Sequence, residues 1–317
     1  MKPVLFLTRL LPEPAVKQLE DKFTLEINRY ERTLTKQELC AGVKNADAII
    51  CLLNDTIDKE VMDAAPKLKV ISNYAVGYNN IDVEYATKCG ITVCNTPGVL
   101  TETTADLTWA LILSACRRIP ESERFLRKGK FKGWEPMLML GQDVYDKTLG
   151  ILGMGRIGQA VAKRAVGFNM QILYHNDSPM RYSLPFAATE VNFDTLLKEA
   201  DIITLHIPLT DKTYHLIGKK ELEMMKESAV LINTSRGPIV DEKELIKALS
   251  THRIFSAGLD VYENEPDISP ELLALDNVVL LPHIGSASIE TRTKMAFLAV
   301  ENALAVIEGR KPPAAVN

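Results

Sequence analysis

Short runs rich in Val, Ile and Leu recur through the first third of the chain: Val4–Leu7, Phe23–Ile27, Ala48–Leu53, Val70–Asn73 and Ile91–Cys94, with amphipathic stretches between them. The runs lack polar alternation, so they predict parallel strands covered by helices on both faces, not the half-wet strands of an antiparallel sheet. A long helical pattern follows from about Glu102 to Arg118, and then a less regular apolar stretch, Phe131–Gly141, holding Trp134, Met137, Leu138, Met139 and Leu140. A second series of runs, Thr148–Leu152, Gln171–Tyr174, Asp201–His206, Ala229–Asn233, Ile254–Leu259 and Val278–Leu281, predicts a second α/β layer structure. A final helix is expected from about Ser288 to Glu308.

The length of 317 residues fits two such domains, at roughly 100–200 residues each. With 46% hydrophobic and 25% charged residues, disorder and a disulfide scaffold are set aside. A net charge of −4 without a long basic run gives no footprint for nucleic acid or for an anionic membrane surface. The five cysteines are scattered, without the spacing of a zinc site, and read as free thiols of a cytoplasmic protein. Val4–Leu7 is too short for a signal segment, and no uninterrupted apolar run reaches the ~18 residues of a membrane span.

The clearest chemistry is Gly153-Met154-Gly155-Arg156-Ile157-Gly158, a G-x-G-x-x-G directly after a predicted strand and before a helical run, Ile157–Val166. Gly153 allows the tight turn, Gly155 lets backbone N–H groups approach a pyrophosphate at the helix N-terminus, and Gly158 lets helix and strand pack closely. The loop lies in mid-chain, so something folds before it. The two long helices flank the second strand series and can each carry the chain between domains. The expected architecture is two doubly wound parallel-sheet domains: residues 1–99 and 286–317 form a substrate domain, and residues 100–285 form an inserted Rossmann domain that binds NAD(P).

An acid about 20 positions past the glycines would accept the ribose hydroxyls of NAD and repel the 2′-phosphate of NADP. The second strand ends Tyr174-His175-Asn176-Asp177. With Asn176 at the strand end that acid is missing; with Asp177 turned inward NAD is favoured; Arg181 is a candidate to neutralise a 2′-phosphate. We expect NAD(H) to be mildly favoured, NADP(H) to be possible, and no metal to be required.

Three later segments suit reduction of a 2-keto acid. Arg236 follows a predicted strand in Asn233-Thr234-Ser235-Arg236-Gly237, and a guanidinium can hold a carboxylate bidentately. His283, in Leu281-Pro282-His283-Ile284-Gly285, is the best general acid in the chain, because a neutral-range imidazole can protonate a developing alkoxide. Glu265, in Asp260-Val261-Tyr262-Glu263-Asn264-Glu265-Pro266, would hold that ring by a hydrogen bond. His206 also ends a strand and reads as structural or as a neighbour of the cofactor, while His175, His215 and His252 have no carboxylate partner that spacing reveals.

Together, the glycine loop, Asn233–Gly237, Gly258-Leu259-Asp260-Val261, Glu265-Pro266 and Pro282-His283-Ile284-Gly285 resemble the successive signatures of the D-isomer-specific 2-hydroxyacid dehydrogenases. The resemblance extends to Val76-Gly77-Tyr78-Asn79-Asn80-Ile81-Asp82, Asn95-Thr96-Pro97-Gly98 and Thr104-Ala105-Asp106, and so covers nearly the whole chain. Within the family it is most similar to the glyoxylate and hydroxypyruvate reductases. It implies that Arg236 binds the keto acid, His283 donates the proton and Glu265 orients His283. It also implies that Asp260 contacts the nicotinamide side, that Thr234, Ser235, Pro208 and Gly285 line the cofactor, and that amides around Val76 and Gly77 bind the substrate carboxylate. The Phe131–Leu140 segment, including Trp134, would join a homodimer. The alternatives are a reductase of a bulkier substrate such as 2-ketogluconate, and a non-enzymatic NAD-sensing protein resembling the C-terminal-binding corepressors.

Overall fold

The computed structural model of the chain describes residues 2–30, 32–180 and 183–317. Arg181, weighed above against a 2′-phosphate, lies outside them. The chain divides into two compact units, Met1–Leu100 with Ser286–Asn317, and Thr101–Gly285.

In the first unit, strands β1 (Val4–Leu7), β2 (Thr24–Ile27), β3 (Ala48–Cys51), β4 (Val70–Asn73) and β5 (Thr92–Cys94) form one sheet in the order β2-β1-β3-β4-β5. Every pairing is parallel. All four residues of β3 and of β4 are buried, which is why their sequence shows no alternation. Helix Ile289–Ile307 belongs to this unit and buries Met295, Ala296, Ala299, Val300 and Ala303. These mostly small side chains let its backbone come close enough to the sheet for Ser72 Oγ to donate to the Ala299 carbonyl at 2.8 Å. The last residues then cover the edge of β5: Val316 N–H donates to the Val93 carbonyl at 2.7 Å, and Asn317 Oδ1 accepts from Val93 N–H at 2.7 Å. An edge strand otherwise presents unpaired backbone groups to any other strand.

The second unit contains β6 (Thr148–Leu152), β7 (Gln171–His175), β8 (Thr189–Glu190), β9 (Ile202–Leu205), β10 (Val230–Asn233), β11 (Ser256–Leu259) and β12 (Val278–Leu280), ordered β12-β11-β10-β9-β6-β7-β8. The pairings are again all parallel. The strand order reverses between β6 and β9, and in open α/β sheets ligands bind outside the carboxyl ends of the strands at that switch point. Helix Thr101–Cys116 buries Thr104, Ala105, Thr108, Trp109, Leu111, Ile112, Ala115 and Cys116. Trp109 satisfies its indole N–H on the Val161 carbonyl at 3.0 Å and stacks on Phe168 at 4.6 Å.

The pattern reading differs from the structure mainly at ends. The helix expected to reach Arg118 stops at Cys116; Arg118 sits at φ 52°, and a separate helix, Ile119–Arg127, starts with a proline in its first turn. Pro120 favours such a start, and this helix was not expected. Strand β8 is only two residues long, too short to leave a periodic signal. Among the described residues no helix is long and apolar enough to cross a membrane.

Candidate active site

The glycine loop leaves β6 with Gly153 at φ 96°, a conformation that side-chain-bearing residues rarely adopt. A Cβ on Gly153 would stand 2.6 Å from the His206 carbonyl oxygen, and one on Gly158 would stand 2.2 Å from the Gly153 carbonyl oxygen, so both positions are closed to any side chain. A Cβ on Gly155 would meet nothing within 4 Å. The space it would fill lies at the start of helix Arg156–Ala165, whose N-terminus no side chain caps. First-turn amides, a favourable dipole and an open approach fit a dinucleotide pyrophosphate.

Strand β7 ends at His175, and Asn176 Oδ1 accepts from the Met154 N–H at 2.7 Å. Of the two candidates at this position, Asn176 is the one that touches the loop, and Asp177 is exposed. His206 flanks the loop from β9. Its Nε2 is buried without a hydrogen-bond partner among the described residues, and burial pulls its pKa down to about 3.

The remaining candidates of this unit follow β9, β10, β11 and β12. Asn233, 1% exposed at the end of β10, brackets the next turn: its Oδ1 accepts from Ser235 N–H at 3.0 Å and its Nδ2 donates to the Arg236 carbonyl at 2.9 Å. Ser235 Oγ donates to the Leu205 carbonyl, and Thr234 Oγ1 lies 3.1 Å from Thr108 Oγ1. The turn is therefore tied to the neighbouring strand and to the helix behind it. Arg236 Nη1 donates to the Ser235 carbonyl at 2.7 Å. Burial pulls its guanidinium down from the usual value, while the charge of Glu265 opposes the shift. Pro208 follows β9, where its carbonyl accepts from Thr213 Oγ1 at 2.7 Å.

Asp260, 1% exposed, accepts the N–H groups of Ile284 and Gly285 at 2.7 Å each. Burial pushes its carboxyl up against those two bonds and the charge of His283, which all favour the ionised form. Gly285 is held from the other side as its carbonyl accepts from Thr104 Oγ1 at 3.1 Å. This clamp on both following residues holds His283 at φ 53°, a backbone conformation uncommon for residues other than glycine.

His283 Nδ1 lies 2.8 Å from Glu265 Oε2, with the two side chains 27% and 30% exposed. Glu265 Oε1 accepts the Tyr262 N–H at 3.0 Å, and Tyr262 Oη donates to the Leu281 carbonyl at 2.8 Å. Burial pushes the Glu265 carboxyl up, but the hydrogen bond and charge of His283, the Tyr262 N–H and the charge of Arg236 outweigh it and hold the carboxyl below its usual value. Because an ionised carboxylate can only accept, Nδ1 carries the hydrogen in this bond and Nε2 is the ring atom left to exchange a proton.

In the first unit, Val76 and Gly77 follow β4. Asn95 Nδ2 donates to the Val76 carbonyl at 2.8 Å and Asn73 Nδ2 to the Gly77 carbonyl at 2.8 Å, so two asparagine side chains from strand ends fix this turn.

One relationship escaped the sequence. His215, without a partner visible in its spacing, has Nε2 2.9 Å from Glu263 Oε1 and Nδ1 3.6 Å from Asp241 Oδ2. The residues are 48 and 26 positions away, and no local pattern links them. Among the described residues no group of three or more His, Cys, Asp or Glu could hold a metal ion.

A Rossmann-type sheet with a pyrophosphate-ready helix and a carboxylate-held histidine at its carboxyl edge defines a dinucleotide-dependent oxidoreductase. Residues 109–285 match the family model for the NAD-binding domain of D-isomer-specific 2-hydroxyacid dehydrogenases. A glyoxylate reductase from Korarchaeum cryptofilum is 52% identical over 322 residues, covering 100% of this chain and 96% of the relative. Among solved structures, a glyoxylate reductase from Paecilomyes thermophila superposes with a TM-score of 0.89 at 35% identity, covering 99% of this chain and 98% of that one. An NADPH-dependent glyoxylate/hydroxypyruvate reductase from Sinorhizobium meliloti, solved in complex with NADP and malonate, gives 0.88 at 31% identity, covering 100% and 97%. The chain belongs to the D-isomer-specific 2-hydroxyacid dehydrogenases. It is an oxidoreductase that uses NAD(P).

Proposed function

We propose that the chain reduces glyoxylate to glycolate and hydroxypyruvate to D-glycerate, with His283 as the general acid. The observation that carries this reading is the 2.8 Å contact between His283 Nδ1 and Glu265 Oε2, which leaves Nε2 to deliver a proton. When bound by the second unit, a nicotinamide would supply the hydride for the keto carbon. Arg236 holds the substrate carboxylate and polarises the carbonyl oxygen, His283 protonates that oxygen, and Glu265 stabilises the charge on the ring. The first unit acts as the substrate domain, with Val76 and Gly77 as its substrate-binding residues. The second unit holds the dinucleotide through Gly153–Gly158, Asn176, Pro208, Thr234, Ser235, Asp260 and Gly285. The names of the relatives, glyoxylate and glyoxylate/hydroxypyruvate reductases, support the small substrate.

Asn176 bears on the choice of dinucleotide. A carboxamide neither repels a 2′-phosphate nor offers a carboxylate to the ribose hydroxyls, so the geometry supports use of both NADH and NADPH more than the mild NAD preference that Asp177 suggested. Oxidation of NADH and of NADPH by a panel of 2-keto acids tests the reading. Turnover of glyoxylate and hydroxypyruvate with both nucleotides is expected; no turnover with either acid would overturn it.

The functional unit is a homodimer. Phe131, Trp134, Met137 and Leu140 are 51%, 83%, 75% and 51% exposed in the single chain, a concentration of apolar surface that a second subunit would cover. Light scattering at micromolar concentration is expected to give twice the chain mass. Five free thiols, three of them buried, support residence in the reducing cytoplasm.

A further inference from the structure

A second histidine–carboxylate pair lies in the same unit, and the mechanism above makes no use of it. His215 Nε2–H donates to Glu263 Oε1 at 2.9 Å, with Asp241 Oδ2 3.6 Å from the other ring nitrogen. The ring stacks on Tyr214 at 4.0 Å, and the residue sits at φ 49°.

Each partner is anchored further. Glu263 Oε2 accepts from Glu242 N–H at 3.1 Å, and Glu263 N–H donates to Glu242 Oε2 at 3.2 Å. The His215 segment runs alongside the chain beyond Arg236: His215 N–H donates to the Pro238 carbonyl at 2.8 Å, Ile217 N–H to the Ile239 carbonyl at 3.0 Å, and Asp241 N–H to the Ile217 carbonyl at 3.0 Å. Between these segments Gly237 presses on the Tyr262 carbonyl so closely that a Cβ there would lie 1.8 Å from its oxygen.

Pro238 stands two residues beyond Arg236, and Glu263 two residues before Glu265. His215 therefore joins the two segments: its backbone N–H holds the chain that follows Arg236, and its imidazole holds Glu263 on the segment that delivers the carboxylate. Glu265 lies on an irregular stretch between β11 and helix Pro270–Leu273, with no ladder of its own to fix it. Its register on His283 depends on what holds Tyr262 and Glu263.

We propose that His215 is a positioning residue: by gripping Glu263 it locks the Tyr262–Glu265 turn against the Arg236 turn, so that Glu265 meets His283 Nδ1. The proposal rests on the reading of Glu265 and His283 as the acid pair. Misplacement of a reacting group by about 1 Å can cost on the order of a hundred-fold in rate, so a residue that never touches the substrate can still govern kcat.

The test pairs two substitutions with a double-mutant cycle in the full-length enzyme, using glyoxylate with NADH and with NADPH. His215→Phe keeps the ring on Tyr214 but removes both nitrogens, whereas His215→Gln keeps an N–H that can reach Glu263. His215→Phe is expected to lower kcat about ten- to a hundred-fold, with nucleotide affinity from fluorescence titration within about two-fold of wild type. His215→Gln should recover most of that loss. In a Glu265→Gln background, His215→Phe should cost less than about two-fold, because little remains to be positioned. A wild-type kcat for His215→Phe, or an equal loss in both backgrounds, would overturn the proposal. Glu265→Gln with wild-type kcat would instead overturn the acid-pair reading, and that outcome needs no change at His215. Should His215→Phe fail to fold, Glu263→Met breaks the same pair from the other side and is carried through the same cycle.

Discussion

The His283 imidazole and the Glu265 carboxylate, 18 positions apart in the chain, meet at 2.8 Å although neither lies in a strand or a helix. His283 follows the last strand and is set by the Asp260 clamp; Glu265 is set by the Tyr262 amide. Removing the acid should slow the proton transfer that accompanies hydride arrival. His283→Ala is expected to lower kcat by about 10²–10⁴-fold. NADH affinity, read by nucleotide fluorescence, should stay nearly unchanged; a variant with full turnover would remove His283 from the mechanism.

Asp260 should matter for stability before chemistry. Its two oxygens satisfy two adjacent amides, one of them buried, and its own side chain is almost wholly enclosed. Asp260→Ala leaves both donors without an acceptor, at about 1–3 kcal/mol per buried unsatisfied group. A midpoint drop of several degrees in thermal unfolding is expected. Asp260→Asn, which retains only one acceptor, should fall between.

The buried His206 ring makes a pH prediction. Its folded pKa is depressed to about 3 from an ordinary 6.5, so below 6.5 the unfolded chain binds a proton that the folded chain does not. Stability is then lost as pH falls from about 6.5 toward 3, by up to about 1.4 kcal/mol per pH unit from this one group. Replacing His206 by Asn should flatten the decline of the unfolding midpoint between pH 6.5 and 4.5. An unchanged slope would show that His206 takes up a proton in the folded state.

Gly237 offers a steric test of the contact between the Arg236 turn and the Tyr262–Glu265 turn. A methyl group there would overlap the Tyr262 carbonyl, and because that oxygen belongs to the backbone it can yield only if the turn itself moves. Gly237→Ala should push the Tyr262–Glu265 turn away, lowering both the unfolding midpoint and kcat. Normal turnover in this variant would mean that the turn tolerates displacement.

Much of the fold was legible because a strand buried on both faces shows no regular polar alternation, even where, as at Ser72 and Asn73 of β4, polar side chains are buried in it. Runs such as Ile49-Ile50 and Ile71 within β3 and β4 declared themselves without an alignment, and Gly153, Gly155 and Gly158 announced a strand-to-helix turn by spacing alone. The boundaries were less legible. Leu52 and Leu53 continue an apolar run but lie past the end of β3, because a strand ends where its partner's hydrogen bonds end, and that is decided by the sheet.

The residue types needed for the chemistry are written in the sequence, as an imidazole, a carboxylate and a guanidinium that follow strands in the second unit. Which carboxylate serves which histidine was decided by tertiary structure. Glu263 and Glu265 are near neighbours in one acidic stretch, yet Glu265 turns to His283 and Glu263 to His215. The sequence offered Asn176 and Asp177 alike, and it is the end of β7 that puts the Asn176 side chain on the Met154 amide. Hydrophobic periodicity is local and survives in one dimension. Hydrogen-bond partners at strand ends are set by how parallel strands distant in sequence line up, and that alignment exists only once the sheet has formed.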